Sequence, residues 1–401
     1  MRSYRVRWLA YPGEMDPDAT SAQPAHYPTV AEFFAGIGLA RVGMERAGLR
    51  VTWANELESF KHQMYAGNFG ADPTDSEFVL GDVAHVRGDD LPHVDVAWSS
   101  FPCTDLSLAG GRAGLSGKHS STFYEFTRVL EEMGDRKPAV VALENVTALA
   151  SSHGGDDLAA AIRELNRLGY SADVLAIDAR RFVPQSRPRL FIIAALTPPP
   201  SASIPNPELR PTWLDWVFED PTLATHQAEL PPLPLPLTEG FSSTVEDIDE
   251  DDPRWWDKNR TSKFMDSLSP IQNKRVSVLM KQHAVSYRTA YRRTRGGVPV
   301  WEVRADDISG CLRTARGGSS KQAVVKAGNG NVKVRWMTPL EYARLMGAGD
   351  YQLSGLRDSQ ILFGFGDAVC VDAVQWVAEH YLVPLIPTRS NNSNEEDPTE
   401  E

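Results

Sequence analysis

The chain has 401 residues, enough for two domains or one large domain with an insertion, and 42% of them are hydrophobic, ample for a buried core. Its three cysteines, Cys103, Cys311 and Cys370, stand far apart with no CxxC pair. That argues against a disulfide scaffold or a zinc cluster and for a reducing compartment. A net charge of −12 argues against a nucleic-acid partner until its distribution is read: the run EDIDEDD (246–252) holds six acids and the tail NNSNEEDPTEE (391–401) five, while 260–335 carries sixteen Lys/Arg against four Asp/Glu. A basic stretch of that kind can bind phosphates even on an acidic chain.

Residues 1–28 read as an extension with little pattern. They lack the apolar core of a signal peptide, and no run approaches the ~18 apolar residues of a membrane span, so a cytoplasmic protein is expected. TVAEFFAGIGLARVGMERAGLRVTWANELES (29–59) predicts strand, glycine turn, amphipathic helix, strand. Leu39, Val42, Met44 and Ala47 give the helix its apolar face, and Gly48 its stop. VLGDV (79–83) and VDVAWSS (94–100) predict further strands, TFYEFTRVLEEM (122–133) a helix and PAVVALENV (138–146) a buried strand. DLAAAIRELNRLGY (157–170) follows as a helix and RPRLFIIAAL (187–196) as a strand. Alternating strands and helices imply a mostly parallel sheet covered on both faces.

Proline-rich TPPPSASIPNPE (197–208) and LPPLPLPL (230–237) mark a hinge or linker, and the acidic run reads as a solvated loop. The basic region 254–335 reads as short, irregular β-like pieces. Helical periodicity resumes at RWMTPLEYARLMGAG (335–349), and DAVCVDAVQWVAEHYL (367–382) is strongly amphipathic. The expected layout is therefore an extension (1–28), a catalytic domain (29–197), a recognition domain with its linker (198–335), a returning C-terminal segment (336–387) and a disordered acidic tail (388–401).

Function in such sheets gathers at the strands' C-terminal ends, where Glu56, Asp82, Cys103 and Glu144 fall. FFAGIG (33–38) puts two glycines after the first strand, where a backbone can approach a ligand. Glu56 suits ribose hydroxyls and Asp82 an adenine amino group, so the three together suggest an adenosine-containing cofactor. GxGxxG is missing, which weighs against a nicotinamide oxidoreductase. Cys103 offers a thiolate nucleophile ahead of the glycine-rich stretch 104–121. Glu144, half-buried, could donate a proton. Arg187 and Arg189, at i and i+2, would share a strand face and could orient a carboxylate, a phosphate or a base carbonyl.

The ordered series F-A-G-I-G, N-E, G-D-V, P-C, E-N-V, Q-S-R-P-R, T-P-L-E-Y-A-R-L-M-G and G-F-G-D-A-V resembles the DNA (cytosine-5) methyltransferase family from about Val30 to Val369. The resemblance implies a Rossmann-like, S-adenosylmethionine-dependent methyltransferase domain, α/β with a mostly parallel sheet, plus a smaller, irregular β-rich target-recognition domain. It implies that Phe34, Gly36, Ile37 and Gly38 form the S-adenosylmethionine loop, with Glu56, Leu57, Asp82, Val83, Pro102, Asp367 and Ala368 also at the cofactor. It gives Cys103 the attack on C6 of a flipped-out cytosine, with Glu144, Arg187 and Arg189 completing the catalytic set. Ser107, Arg112, Gln185, Arg288, Arg292, Arg293, Arg295, Arg313 and Arg316 would meet DNA. The product would be S-adenosylhomocysteine, with no metal.

Double-stranded DNA is the implied partner of a monomer near the nucleoid, either beside a cognate restriction endonuclease or as a lone methyltransferase. An RNA methyltransferase on the same scaffold and a non-catalytic DNA-binding member are the alternatives. Three positions depart from the family pattern: Leu39 for a second glycine, Glu32 for an aspartate, and Asp367 for an asparagine near the cofactor's methionine end. A carboxylate at 367 either repels the cofactor's own carboxylate or pairs with its ammonium.

Overall fold

The computed structural model describes residues 27–70, 77–102, 122–204, 206–295, 297–314 and 321–387. All of the N-terminal extension but residues 27 and 28, and the acidic tail, lie outside them. β1 (Thr29–Phe33), α1 (Leu39–Arg46), β2 (Arg50–Glu56), α2 (Ser59–Phe69) and β3 (Glu77–Leu80) form the first half of the main sheet. β4 (Val96–Ser99), α3 (Thr122–Glu132), β5 (Val140–Val146), α4 (Asp156–Arg167), β6 (Ser171–Asp178) and β7 (Pro188–Ala195) form the second. The seven strands lie in the order β3-β2-β1-β4-β5-β7-β6. Only β7 runs against its neighbours. The strand order reverses between β1 and β4, so a crevice opens outside their C-terminal ends, which is where open α/β sheets bind ligands.

Strand alternation splits the core in two. Val30, Val51 and Val96 face α1 and α2, with Leu39, Met44 and Met64. Ala31, Phe33, Ala97 and Val141 face α3 and α4, with Phe126, Leu130, Leu158 and Ile162. The proline-rich linker is docked rather than loose. On both sides of α5 (Asp215–Glu219) it is held to β6, where buried Asp173 accepts hydrogen bonds from Arg210 (2.8 Å) before the helix and Ala228 N (3.1 Å) after it, and from Tyr381 Oη (2.7 Å) near the C-terminal end of the fold.

The basic region is more regular than its sequence predicts. It contains two helices, α6 (Lys258–Asp266) and α7 (Pro270–Met280), before β8 (Ser286–Arg295), β9 (Val298–Val303), β10 (Ala323–Gly328) and β11 (Asn331–Trp336). These strands form an antiparallel sheet of order β11-β10-β8-β9, with its own core of Phe264, Val276, Ala290, Val303, Val325 and Val334. The acidic run is not simply solvated either. The Glu250 carboxylate pairs with both Lys326 and Lys333, and the pair of lysines holds it down to a pKa of about 2.

After β11 the chain returns to the main sheet through α8 (Pro339–Arg344), α9 (Asp358–Asp367) and α10 (Val371–Val377). A capping box starts α8: the Thr338 hydroxyl accepts from Glu341 N, and the Glu341 carboxylate accepts from Thr338 N at 2.8 Å. Contrary to the sequence reading, one stretch among the described residues, Asp358–Leu385, is long and apolar enough to cross a membrane. It breaks between α9 and α10, and 72% of its most apolar window is buried in the fold, as a core pair of helices requires.

Candidate cofactor and catalytic site

The turn after β1 is built on left-handed backbone. Phe34, Gly36 and Gly38 have φ of 56°, 59° and 78°. A Cβ on Gly38 would lie 2.3 Å from the Phe69 ring, so only glycine lets α1 start there. Gly36 is different: a Cβ there would meet only the Phe34 carbonyl oxygen, at 3.9 Å, so its Cα faces open space beside Glu56. Phe34, a bulky residue at positive φ, is strained in the way residues at ligand sites often are.

Glu56 ends β2 and is 6% exposed. Its Oε2 accepts from Gly36 N at 2.9 Å, and its Oε1 from Leu57 N (3.0 Å) and Glu58 N (2.9 Å). Three backbone donors use three of roughly four acceptor positions, leaving one for a ligand hydroxyl. Leu57 exposes 62% of its side chain alongside. Asp82 is exposed and caps a short 3-10 turn by accepting from Ala84 N at 3.0 Å. Asn55 fixes that strand end by donating to Val79 O and Gly81 O.

Two residues of the predicted cofactor set, Ile37 in the loop and Val83 after β3, do not offer side chains. Ile37 is 1% exposed and its carbonyl takes the Tyr351 hydroxyl at 2.7 Å. Val83 is 3% exposed in the core under α3. Either could present only backbone to a ligand. With that correction, the glycine turn, the acid at the end of β2 and the exposed acid after β3 fit the adenosine half of S-adenosylmethionine.

β5 carries Glu144 to the same edge. Its Oε1 lies 2.8 Å from Arg189 Nε, across the β5–β7 pairing. Burial raises the Glu144 pKa, only partly opposed by Arg189 and Arg187, so its carboxyl holds a proton more readily than usual. Asn145 donates to Phe101 O at 3.1 Å and so tethers the segment that ends at Pro102. Cys103, Ser107, Arg112 and Arg316 lie outside the described residues.

Arg187 departs from its predicted place. β7 starts at Pro188, and Arg187, 2% exposed just before it, points into the fold. It donates to Leu312 O (2.8 Å), Gly366 O (3.2 Å) and Ala368 O, with Cys311 Sγ at 3.3 Å. It ties three segments together beneath the site, while Arg189 alone reaches Glu144. Gln185 is a clearer correction. It is fully buried, donating to Leu345 O (2.7 Å) and accepting from Leu312 N (3.0 Å), so it has nothing to offer DNA.

The predicted arginine patch divides between two faces, because strand neighbours alternate. Arg288 and Arg292 share the Ala290 face, which packs on the recognition core. Arg288 is half-buried and 3.8 Å from Asp307, and Arg292 lies over Trp301. Arg293 is on the Tyr291 face, 3.1 Å from Glu302. A Cβ on Gly310 would lie 3.8 Å from the Tyr291 ring on that face, and Arg313, three residues further on, is exposed. Arg295 ends β8.

Sequence reasoning missed Lys61 on α2. It lies 2.7 Å from Asp367 Oδ2 and 3.8 Å from Glu56 Oε1. Burial alone would lower its pKa, but the Asp367 and Glu56 carboxylates outweigh burial and hold the ammonium above its ordinary value. No motif signals Lys61; only the fold brings it to residues 5 and 306 positions away.

The family model for C-5 cytosine-specific DNA methylases matches residues 29–382. The chain belongs to that family. Among its curated relatives, the type II methyltransferase M.HhaI of Haemophilus parahaemolyticus is 30% identical over 163 residues, 40% of this chain and 47% of that protein. M.DsaV of Dactylococcopsis salina is 26% identical over 356 residues, 88% of this chain and 85% of the relative. The chain spans about half the length of the first curated relatives it matches. Among solved structures, S. pombe Dnmt2 methyltransferase superposes with a TM-score of 0.58 at 16% identity, covering 89% of this chain and 99% of that one. Entamoeba histolytica methyltransferase EhMeth gives 0.58 at 15% identity, covering 90% and 100%. At these identities the likeness to the solved structures is one of overall fold.

Proposed function

We propose that this methylase transfers a methyl group from S-adenosylmethionine to C5 of a cytosine in a short duplex DNA sequence. The observation that carries the reading is the Glu144–Arg189 pair, buried at the sheet's C-terminal edge, beside the Asn145-tethered segment that leads into Cys103. The cofactor supplies an electrophilic methyl group on a sulfonium. Cys103 attacks C6 of the flipped-out base and makes C5 nucleophilic. Glu144, protonated more readily because it is buried, donates to N3 and offsets the charge that develops in the ring. Arg189 orients Glu144 and reaches the base carbonyl. After transfer, C5 loses its proton and Cys103 leaves. Arg187 serves as the brace under this set rather than as a contact to the base.

Residues 198–335 act as the recognition domain and 336–387 complete the catalytic one. The protein acts as a cytoplasmic monomer on DNA, beside a restriction endonuclease or alone. Duplex oligonucleotides carrying 5-fluorocytosine test the chemistry, because fluorine at C5 cannot leave as a proton does and the covalent complex should persist. A denaturation-resistant protein–DNA band with wild type and none with Cys103→Ala is expected. A band that survives in Cys103→Ala overturns the role of the thiol.

A further inference from the structure

Lys61, 10% exposed at its side chain, stands between two carboxylates: buried Glu56 at 3.8 Å and Asp367, 46% exposed, at 2.7 Å. Glu56 in turn holds the glycine turn through Gly36 N. Asp367 is held in place from its other side, since Arg187 grips the carbonyls of Gly366 and Ala368 that flank it. Lys61 thus links Asp367 to the ribose anchor Glu56, and Arg187, which grips the carbonyls on either side of Asp367, lies two residues before Arg189, the partner of Glu144. A cofactor running from Glu56 toward the base must set its sulfur and amino-acid tail in that interval.

We propose that Lys61 and Asp367 together form a receptor for the zwitterionic amino-acid end of the cofactor, the exposed Asp367 carboxylate taking its α-ammonium and the Lys61 ammonium its α-carboxylate. This rests on the S-adenosylmethionine reading above. Two opposite charges in hydrogen-bond contact match a ligand that carries two opposite charges on one carbon. The Lys61 ammonium has three N–H donors, and among the described residues its one hydrogen bond is to Asp367. Lys61 also resolves the conflict a lone carboxylate at 367 would create. It neutralises Asp367 and Glu56 in part, so the ligand's carboxylate does not meet an uncompensated negative charge. Because Lys61 sits on α2 and Asp367 closes α9, the receptor joins an early and a late segment of the chain.

Calorimetric binding of S-adenosylhomocysteine, of its desamino analogue and of methylthioadenosine, which lacks the amino-acid end, tests the proposal without any turnover. Wild type, Asp367→Asn, Lys61→Gln and the double variant are compared, with thermal melting as a check on folding. Asp367→Asn should weaken S-adenosylhomocysteine by roughly tenfold or more, as loss of a charge-assisted hydrogen bond does. It should leave methylthioadenosine unchanged and the desamino analogue nearly so. Lys61→Gln should weaken S-adenosylhomocysteine and leave methylthioadenosine unchanged, and the double variant should lose less than the sum of the singles. If the variants bind S-adenosylhomocysteine as wild type does, or lose methylthioadenosine equally, the receptor is refuted while the cofactor reading stands. If wild type binds none of the three, the cofactor reading itself fails.

Discussion

Glu32 shows what one departure from a family pattern does. It lies on β1 and is 1% exposed, so its carboxylate is buried in the sheet. Burial raises its pKa from 4.5 to about 8, with Arg41 only partly opposing. The sign follows: the folded state holds the proton more tightly than the unfolded one, so the stabilisation is complete below about pH 4.5 and is lost as pH rises toward 8. Each pH unit inside that window costs at most about 1.4 kcal/mol. Glu32→Gln should flatten the dependence and raise the urea midpoint at pH 8 relative to wild type. An unchanged slope between pH 5.5 and 8 would show that Glu32 is not the group. At Glu144 the same physics serves chemistry. Glu144→Gln keeps the shape but loses the exchangeable acid, so kcat should fall roughly 10²–10⁴-fold with DNA affinity retained. Equal losses in both would reduce Glu144 to a structural part.

At the scale of elements, Arg187 and β8 make separable predictions. Replacing Arg187 with Leu leaves the carbonyls of Leu312, Gly366 and Ala368 without their donor, which should cost about 3 kcal/mol or more in chemical denaturation. On β8, Arg293 is exposed on the Tyr291 face, and Arg292 is on the core face over Trp301. Arg293→Ala should lower the slope of log affinity against log salt by about 1, and Arg292→Ala should leave it alone. Equal changes would mean that the sheet meets DNA differently.

The elements that were legible were those with a single strong period. The apolar runs of β1, β4, β5 and β7 and the amphipathic α1, α3 and α4 read directly from their residues. α2 did not, because SFKHQMYAGNF buries only Lys61, Met64 and Tyr65, too sparse a stripe to see. β8 did not, because in SYRTAYRRTR arginines occupy both faces and hide the alternation. The candidate site was legible at strand ends, where position alone implies exposure to ligand. Gln185 was misassigned and Lys61 overlooked because their surroundings come from segments more than 120 and 300 residues away, which no local pattern encodes.

For the whole molecule, the charge separation has a structural counterpart. The acidic run leans on the basic recognition sheet through Glu250, Lys326 and Lys333, so part of the recognition domain's positive charge is already balanced within the chain. The pair is exposed on the Glu250 side and contributes little to stability.

The central claim is that this fold methylates cytosine in DNA through Cys103. Its most direct test is to express the protein in a host lacking cytosine methylation and to sequence the genome by a conversion method that reports modified cytosine at single-base resolution. The account predicts one short motif modified with wild type and none with Cys103→Ala. A genome left unmodified by well-folded wild-type protein would contradict it.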